Sequence, residues 1–239
     1  MRLLGIFLAF TLATSSVLAA DLFKDGKPVP MKKGSEIVAS TTISGYPMYS
    51  DTGTWRLLKI ETSVADTLGN AEPLHHGEVT MLQVDATGAI AGSMAVLVNL
   101  TSTGDNLYMG GSPCVGAHIV SVNKGAGLYD NCLTIDANTF GASKSEGTHF
   151  AIRITQSRSS GRLYILDLRL RAGVLGFPGT YVADWQANAI LASAEKTAFV
   201  ERLKKWAMLL QDASNRAVEF SKPADAFAVV PSYRTLVAE

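Results

Sequence analysis

Between Ser35 and about Ala172 the apolar positions of this sequence recur at every second residue, in short segments separated by glycine, asparagine and aspartate. Alternation of apolar and polar side chains, with many β-branched and aromatic residues, is typical of half-buried strands. Eight segments have this pattern: EIVASTTI, WRLLKIET, EVTMLQVD, AIAGSMAVLVNL, AHIVSV, LYDNCLTI, THFAIRIT and RLYILDLRLR. About eight short strands at this spacing predict an antiparallel sandwich, a barrel or a bent sheet.

The last two segments predict a hairpin with a defined register. A turn centred on Ser159 places six apolar side chains on one face, in the pairs Phe150–Leu168, Ile152–Leu166 and Ile154–Tyr164. The opposite face carries four polar side chains, which we expect to be solvated: His149, Arg153, Asp167 and Arg169. Arg153 lies diagonal to Asp167 in this register and is able to pair with it.

After LRAGVLGFPGTY the apolar period becomes helical. Apolar residues recur at alternating spacings of four and three, which defines the seam of an amphipathic helix: Phe199, Leu203, Trp206, Leu210, Ala213, Ala217 and Phe220. Asp184 and Ser193 both have side chains that cap helices, a break near residues 192–194 also fits the pattern, and Pro223 ends the helix. We expect the seam to pack on the protein's own sheet, the alternative being contact with a partner helix.

The N-terminus has the pattern of a secretory signal peptide. MRLLGIFLAFTLATSSVLAAD contains one basic residue, an apolar run and small residues that end at Ala19. The apolar run is shorter than the roughly twenty residues that cross a bilayer as a helix, and no second long apolar run follows it. We therefore expect no transmembrane segment after removal of the signal.

Together these patterns predict an α+β fold that is mainly β, with a long C-terminal amphipathic helix packed on the sheet. The predicted organisation is a signal peptide at 1–19, an exposed lead-in at 20–34, an antiparallel β domain at 35–178, a helical segment at 179–222 and a tail at 223–239.

The chain has two cysteines, Cys114 and Cys132. In an exported protein such a pair is expected to form a disulfide, and the spacing is too long for a CxxC redox site. A bridge of this span would stabilise the fold by roughly 3 kcal/mol. Cysteines facing each other in a hairpin require a turn near Asn123, although the glycine signal is centred on Gly125. Otherwise the bridge joins neighbouring strands, or a strand to the loop at 110–111.

Charge and motifs exclude several function classes. The chain has 21 basic and 21 acidic residues, so a nucleic-acid or anionic-membrane partner is not expected. The GxSxG pentapeptide of α/β-hydrolases does not occur, and the SxxK match at Ser193–Lys196 lacks its companion motifs in the right order. Since no glycine-rich phosphate cradle is present either, we predict no cofactor and no catalytic residues.

Four residues are candidate metal ligands: His75, His76, Glu78 and His149. Adjacent histidines converge on a metal only in an irregular segment, which Pro73 and Gly77 favour, because side chains alternate between the faces of a strand. Residues 136–141, DANTFG, begin like a calcium loop but lack its later ligands, so we interpret them as a turn. His118 shares a strand face with Val120 and is expected to be half-buried and bonded to backbone.

The sequence therefore predicts an exported, non-enzymatic β-rich module, periplasmic or secreted, that binds a protein partner, an envelope component or a small ligand. The alternative function is a periplasmic hydrolase that uses His75, His76 and Glu78 with a metal, or His149 with a carboxylate.

Overall fold

The computed structural model describes residues 20–38, 40–51, 55–65, 74–85, 87–100, 114–116, 118–125, 129–139, 147–158, 161–219 and 221–237. The predicted signal peptide at 1–19, the loop at 110–111 and Phe220 of the predicted seam lie outside these ranges.

Strands account for most of the described chain before residue 172. They are β1 (Phe23–Lys24), β2 (Lys27–Pro28), β3 (Glu36–Ile37), β4 (Thr42–Ile43), β5 (Tyr46–Pro47), β6 (Trp55–Ala65), β7 (Leu74–Val84), β8 (Ile90–Asn99), β9 (Val120–Asn123), β10 (Asn131–Thr139), β11 (Thr148–Ser157) and β12 (Leu163–Arg171). Eight of them form one antiparallel sheet in the order β3-β6-β7-β8-β12-β11-β10-β9, while β1–β2 and β4–β5 pair separately. The large sheet does not close. Of the three arrangements that the sequence left open, the structure therefore has a single open sheet and not a barrel.

One face of this sheet is apolar in rows that run across the strands. A single row, aligned by the observed registers, comprises Leu57, Met81, Met94, Leu168, Ile152, Ile135 and Val120. All seven side chains are buried. Burying an aliphatic side chain of this size contributes about 1.5–3 kcal/mol, so this face is the main source of stability.

The hairpin of β11 and β12 has a register two residues away from the predicted one. Phe150 pairs with Leu170, and Ile154 pairs with Leu166. The apolar side chains still share one face, because a shift of two residues leaves every side chain on the same side of the sheet. The turn decides between such registers. Gly161, at φ 70°, donates its N–H to Arg158 O, which centres the turn one residue later than Ser159.

Two helices follow the sheet, α1 (Ala187–Leu191) and α2 (Ala194–Ala217). The hydroxyl of Ser193 caps α2 by accepting the backbone N–H of Lys196 at 3.2 Å, so the helical segment is broken where the sequence allowed a break. α2 ends at Ala217, before Pro223, and Pro223 does not terminate it. Among the described residues no helix combines the length and the apolar character needed to cross a membrane.

The predicted seam of α2 packs inside the molecule. The six seam residues within α2 are all buried: Phe199, Leu203, Trp206, Leu210, Ala213 and Ala217. The helix contacts β10, β11 and β12, and the Phe199 ring centroid lies 5.2 Å from that of Phe150. The seam is therefore a packing surface for the protein's own sheet.

The N-terminal and C-terminal segments cover the rest of the apolar face. The lead-in is mostly exposed, as predicted, but Leu22 and Phe23 are buried. The C-terminal tail also packs on the core, because Phe227, Tyr233 and Leu236 are buried in it. Short segments next to glycine or proline have too few positions for their apolar periodicity to be recognised, so the sequence pattern did not show this packing.

The disulfide links Cys114 and Cys132 as predicted, but not across a hairpin turning near Asn123. Asn123 is the last residue of β9 and pairs with Cys132 itself. Cys114 lies in the turn before β9, so the bridge ties β10 to the segment that leads into its neighbouring strand. Residues 136–139, predicted as part of a turn, instead continue β10.

Candidate functional site

The outer edge of β10 is only partly covered by β9. β9 pairs with Cys132–Ile135 and leaves residues 136–139 without a strand partner on this side among the described residues. Lys124 donates its backbone N–H to Asn131 O across the same edge. Because outward-facing backbone groups occur at every second residue of an antiparallel strand, the N–H and C=O of Ala137 also point outward, beyond the end of β9.

A cavity of about 340 Å³ opens beside this uncovered edge. Its volume falls within the range of about 300–1,000 Å³ that is usual for ligand sites. The residues of β10 at the cavity are Asp136, Ala137 and Asn138; those before β9 are His118 and Ile119; and those on the helix side are Trp185, Gln186, Ala187 and Ile190. We call this cavity the β10 edge pocket.

The β10 edge pocket reaches both faces of the sheet. Ala137 packs against the apolar core, and its neighbours Asp136 and Asn138 project to the opposite face because side chains alternate along a strand. A molecule in the pocket would therefore meet outward backbone groups at its centre, an apolar wall on the helix side and polar side chains on the other side.

The disulfide fixes one wall of the pocket. With Cys114 bonded to Cys132 of β10, the Nδ1 atom of His118 lies 2.8 Å from a carboxylate oxygen of Asp136. Gly116 has a φ of 136°, and a Cβ built there would lie 3.0 Å from Nε2 of His118. Gly116 thus provides both a backbone conformation and a space that a larger residue would disturb.

His118 and Asp136 hold this wall in place. Nε2 of His118 lies 3.3 Å from the carbonyl oxygen of Val115, so both ring nitrogens have a polar neighbour. The nearby hydroxyl of Ser121 donates to the carbonyl oxygen of Cys114 at 3.2 Å. A general base needs a ring nitrogen within reach of a nucleophile or of substrate. The geometry favours a structural clamp over a catalytic dyad. The sequence had predicted a half-buried histidine here, and the carboxylate partner was missed.

Trp185 makes the helix-side wall rigid. Its ring centroid lies 4.6 Å from that of Phe150, 5.0 Å from that of Phe177 and 5.7 Å from that of Phe199. The indole N–H donates to the hydroxyl of Thr180 at 3.3 Å. A wall held by three aromatic contacts and a hydrogen bond needs little rearrangement when a ligand binds, which lowers the entropic cost of binding.

The candidate metal ligands do not come together. His75 and His76 are adjacent in β7, so their side chains point to opposite faces of a regular strand and not into an irregular loop. Glu78 shares the face of His76. β11 is the third strand from β7, and the registers place His149 level with the Val84 end of β7, so His149 lies roughly 30 Å from His76. Within the described ranges, no three His, Cys, Asp or Glu side chains form a group able to hold a metal ion.

His149 is also not the solvated side chain that the sequence predicted. It is 3% exposed. Burial, together with the positive charge of Arg171, lowers its pKa to about 4. Arg171 in turn forms a salt bridge with Asp85. A neutral, buried imidazole beside two arginines does not provide the histidine–carboxylate pair of the hydrolase alternative.

A second, smaller depression lies on the polar face of the sheet. Its volume is about 140 Å³, and it is lined by Glu78, Ala95, Leu97, Arg153, Ile165 and Asp167. Arg153 lies directly opposite Asp167 in the ladder, but the carboxylate of Asp167 accepts a hydrogen bond from Arg169 at 3.0 Å. This depression is smaller than usual ligand sites, so the β10 edge pocket is the better candidate.

Sequence reasoning missed most of the pocket. Asp136 was predicted to lie in a turn, and no pattern in the sequence indicated Gln186 as a site residue. The signal in the sequence is the unequal length of the neighbouring strand segments, AHIVSV and LYDNCLTI, because a short edge strand leaves part of its partner uncovered. No family model, curated protein or solved structure matches this chain.

Proposed function

We propose that this protein is an exported, non-enzymatic module that binds an extended segment of a partner protein at the β10 edge pocket. The observation that carries the proposal is the outward-facing backbone of Ala137 at the centre of a preformed pocket. Extended segments bind to such edges by adding a strand: the backbone hydrogen bonds provide affinity, and pockets for alternate side chains provide specificity.

The walls of the pocket define the chemistry of the segment. The residue that pairs with Ala137 directs its side chain toward Trp185 and Ile190 and is therefore apolar. Its two neighbours project to the opposite face, beside Asp136 and Asn138, where polar side chains with hydrogen-bond donors fit best. The expected recognition pattern is polar, apolar, polar.

Export to the periplasm or to the cell exterior is part of the proposal. The disulfide supports it, because a Cys114–Cys132 bond that fixes one wall of the site persists in an oxidising compartment. The pattern of the first nineteen residues supports it as well. The hydrolase alternative has no comparable support, because its candidate ligands do not form a group able to hold a metal ion among the described residues.

A random peptide library displayed on phage tests the proposed binding site. Peptides selected on the oxidised protein are expected to share an apolar residue flanked by polar ones. Ala137→Pro removes the outward N–H without removing a hydrogen bond to β11, because the N–H of Ala137 does not face that strand. We expect at least a tenfold loss of affinity for the selected peptides, measured by isothermal titration calorimetry.

Ala137→Ser is the matched control, because it keeps the backbone N–H and adds little volume. It is expected to bind the selected peptides as the unmodified protein does. Melting curves recorded by circular dichroism establish that both variants are folded. Equal affinity of folded Ala137→Pro and Ala137→Ser, or selected peptides without any shared pattern, would overturn the proposal.

A further inference from the structure

The opposite edge of the sheet is also incompletely covered. β3 pairs with β6 only at Trp55 and Arg56, and two further backbone hydrogen bonds join Leu57 to residues 34–35. Among the described residues, no strand pairs with the outer side of β6 from residue 58 to residue 65. A strand edge of this length is a template for another strand.

The direction of the backbone groups along this edge follows from the ladder. Leu100 donates its N–H to His75 O, so odd-numbered residues of this part of β7 face β8 and even-numbered residues face β6. The observed pairing of β6 with β7 joins even-numbered residues of β7 to odd-numbered residues of β6, such as Glu78 to Glu61. The backbone groups of Ile60, Thr62 and Val64 therefore point outward.

The side chains of the same three residues are all β-branched and project to one face of the sheet. Val64, near the end of β6, is 58% exposed. Lys59 and Glu61 project to the other face, where they form a salt bridge with each other. β-branched side chains favour strand pairing, and the exposed Val64 gains by being covered.

Beside this edge lies a groove of about 340 Å³. It is formed by the proline-rich lead-in and the start of β6: Pro28, Val29, Pro30, Met31, Lys33, Leu57, Leu58, Lys59 and Ile60. Apolar side chains and two lysines line the groove, which lies next to Ile60, where a residue paired with Ile60 would place its side chain.

We infer that β6 pairs with β6 of a second copy of this chain, antiparallel about a two-fold axis at Thr62, to form one continuous sheet. In this arrangement Thr62 faces the partner's Thr62, and Ile60 faces the partner's Val64. The exposed Val64 side chain of each copy then packs at the groove beside Ile60 of the other copy. This interface lies on the edge opposite the β10 edge pocket and is independent of the proposed function.

Side-chain chemistry favours this register over those centred on Glu61 and Ile60. An axis at Glu61 places Glu61 against the partner's Glu61 and, because Glu61 already pairs with Glu78, sets four carboxylates in one row, which destabilises a sheet. An axis at Ile60 brings the partner's Val64 to Arg56, where β3 already pairs. An axis at Thr62 avoids both conflicts, sets Glu61 against the partner's Ser63, and pairs all three outward-facing backbone positions.

Oxidative cross-linking tests the interface and its register together. In a hydrogen-bonded antiparallel pair the Cα atoms lie about 5.5 Å apart, which a disulfide can span. Thr62→Cys is expected to form a covalent dimer under mild oxidation, with the native Cys114–Cys132 bond intact. Ser63→Cys is the matched control and is expected to remain largely unlinked, because it does not face its own equivalent in this register.

Sedimentation velocity of the unmodified oxidised protein is expected to show twice the monomer mass at micromolar concentrations. Thr62→Pro removes only an outward N–H and is expected to be monomeric with a nearly unchanged melting temperature. Val64→Lys provides a second monomeric variant if Thr62→Pro melts early. The inference would be overturned if the protein were a monomer at all concentrations. It would also be overturned if folded Val64→Lys remained a dimer and Ser63→Cys cross-linked as well as Thr62→Cys.

Discussion

Gln211 and Gln156 are fully buried between α2 and the sheet and share one partner, Asn131. The side-chain amide of Gln211 donates to the backbone oxygen and to the side-chain oxygen of Asn131, both at 2.9 Å. The amide of Gln156 donates to the same side-chain oxygen at 3.0 Å and to Gln211 O at 3.1 Å. The N–H groups of these buried amides fix the position of the helix along the strands, because they reach these acceptors in one alignment only.

The two glutamines are therefore expected to be energetically coupled. Gln211→Leu and Gln156→Leu should each lower the free energy of unfolding by about 1–3 kcal/mol, because each removes at least two buried hydrogen bonds. The double variant should cost more than the two single costs combined, because only then does the side-chain oxygen of Asn131 lose both of its donors. Urea unfolding of the four proteins measures this coupling. Additive losses would show that the residues act separately.

His149 makes stability depend on pH. Its pKa is about 4 in the folded protein and near 6.5 in the unfolded chain, so the unfolded chain takes up the proton first as the pH falls. The free energy of unfolding is therefore unaffected by protonation of His149 above about pH 6.5. Between about pH 6.5 and pH 4 it falls progressively, by up to about 3 kcal/mol. Urea unfolding at several pH values should show a shallower decline for His149→Gln than for the unmodified protein. Parallel declines would contradict the assignment.

Among the secondary-structure elements, α2 depends most on a single apolar stripe. Leu210 is 0% exposed on this stripe, while the adjacent Leu209 is 43% exposed. We expect Leu210→Asp to unfold the protein, since an unpaired carboxylate in the core costs more than about 4 kcal/mol. Leu209→Asp should melt within a few degrees of the unmodified protein. The comparison is made by thermal circular dichroism, and a stable, cooperatively melting Leu210→Asp would show that the stripe is not a core surface.

The strand pattern and the helix seam were predictable because each depends on a local period. The apolar alternation identified the buried face of β11 and β12, but it could not distinguish registers two residues apart, which the left-handed conformation of Gly161 decides. The seam of α2 and its break at Ser193 followed from spacing and capping. The β10 edge pocket could not be predicted from a local pattern, because it exists only where the chain bends away at Ile119 and leaves Ala137 uncovered.

For the molecule as a whole, the disulfide contributes to stability and to the site together. Replacing both Cys114 and Cys132 by alanine should cost roughly 3 kcal/mol, which lowers the melting temperature by roughly 6–12 °C for a domain of this size. Intact mass after denaturation with an alkylating reagent should show no label unless a reductant is present. Two labels without reductant would show that the purified protein has free thiols.

The open sheet leaves two edges that other chains can extend, and the proposed function rests on the one at Ala137. Residue-resolved hydrogen exchange by NMR tests this edge directly. In the free oxidised protein, the amides of Leu133 and Ile135 should exchange slowly because β9 covers them, and the amide of Ala137 should exchange fast. Saturation with a selected peptide should slow Ala137 by at least tenfold. Slow exchange of Ala137 in the free protein, or no change when the peptide binds, would contradict the account.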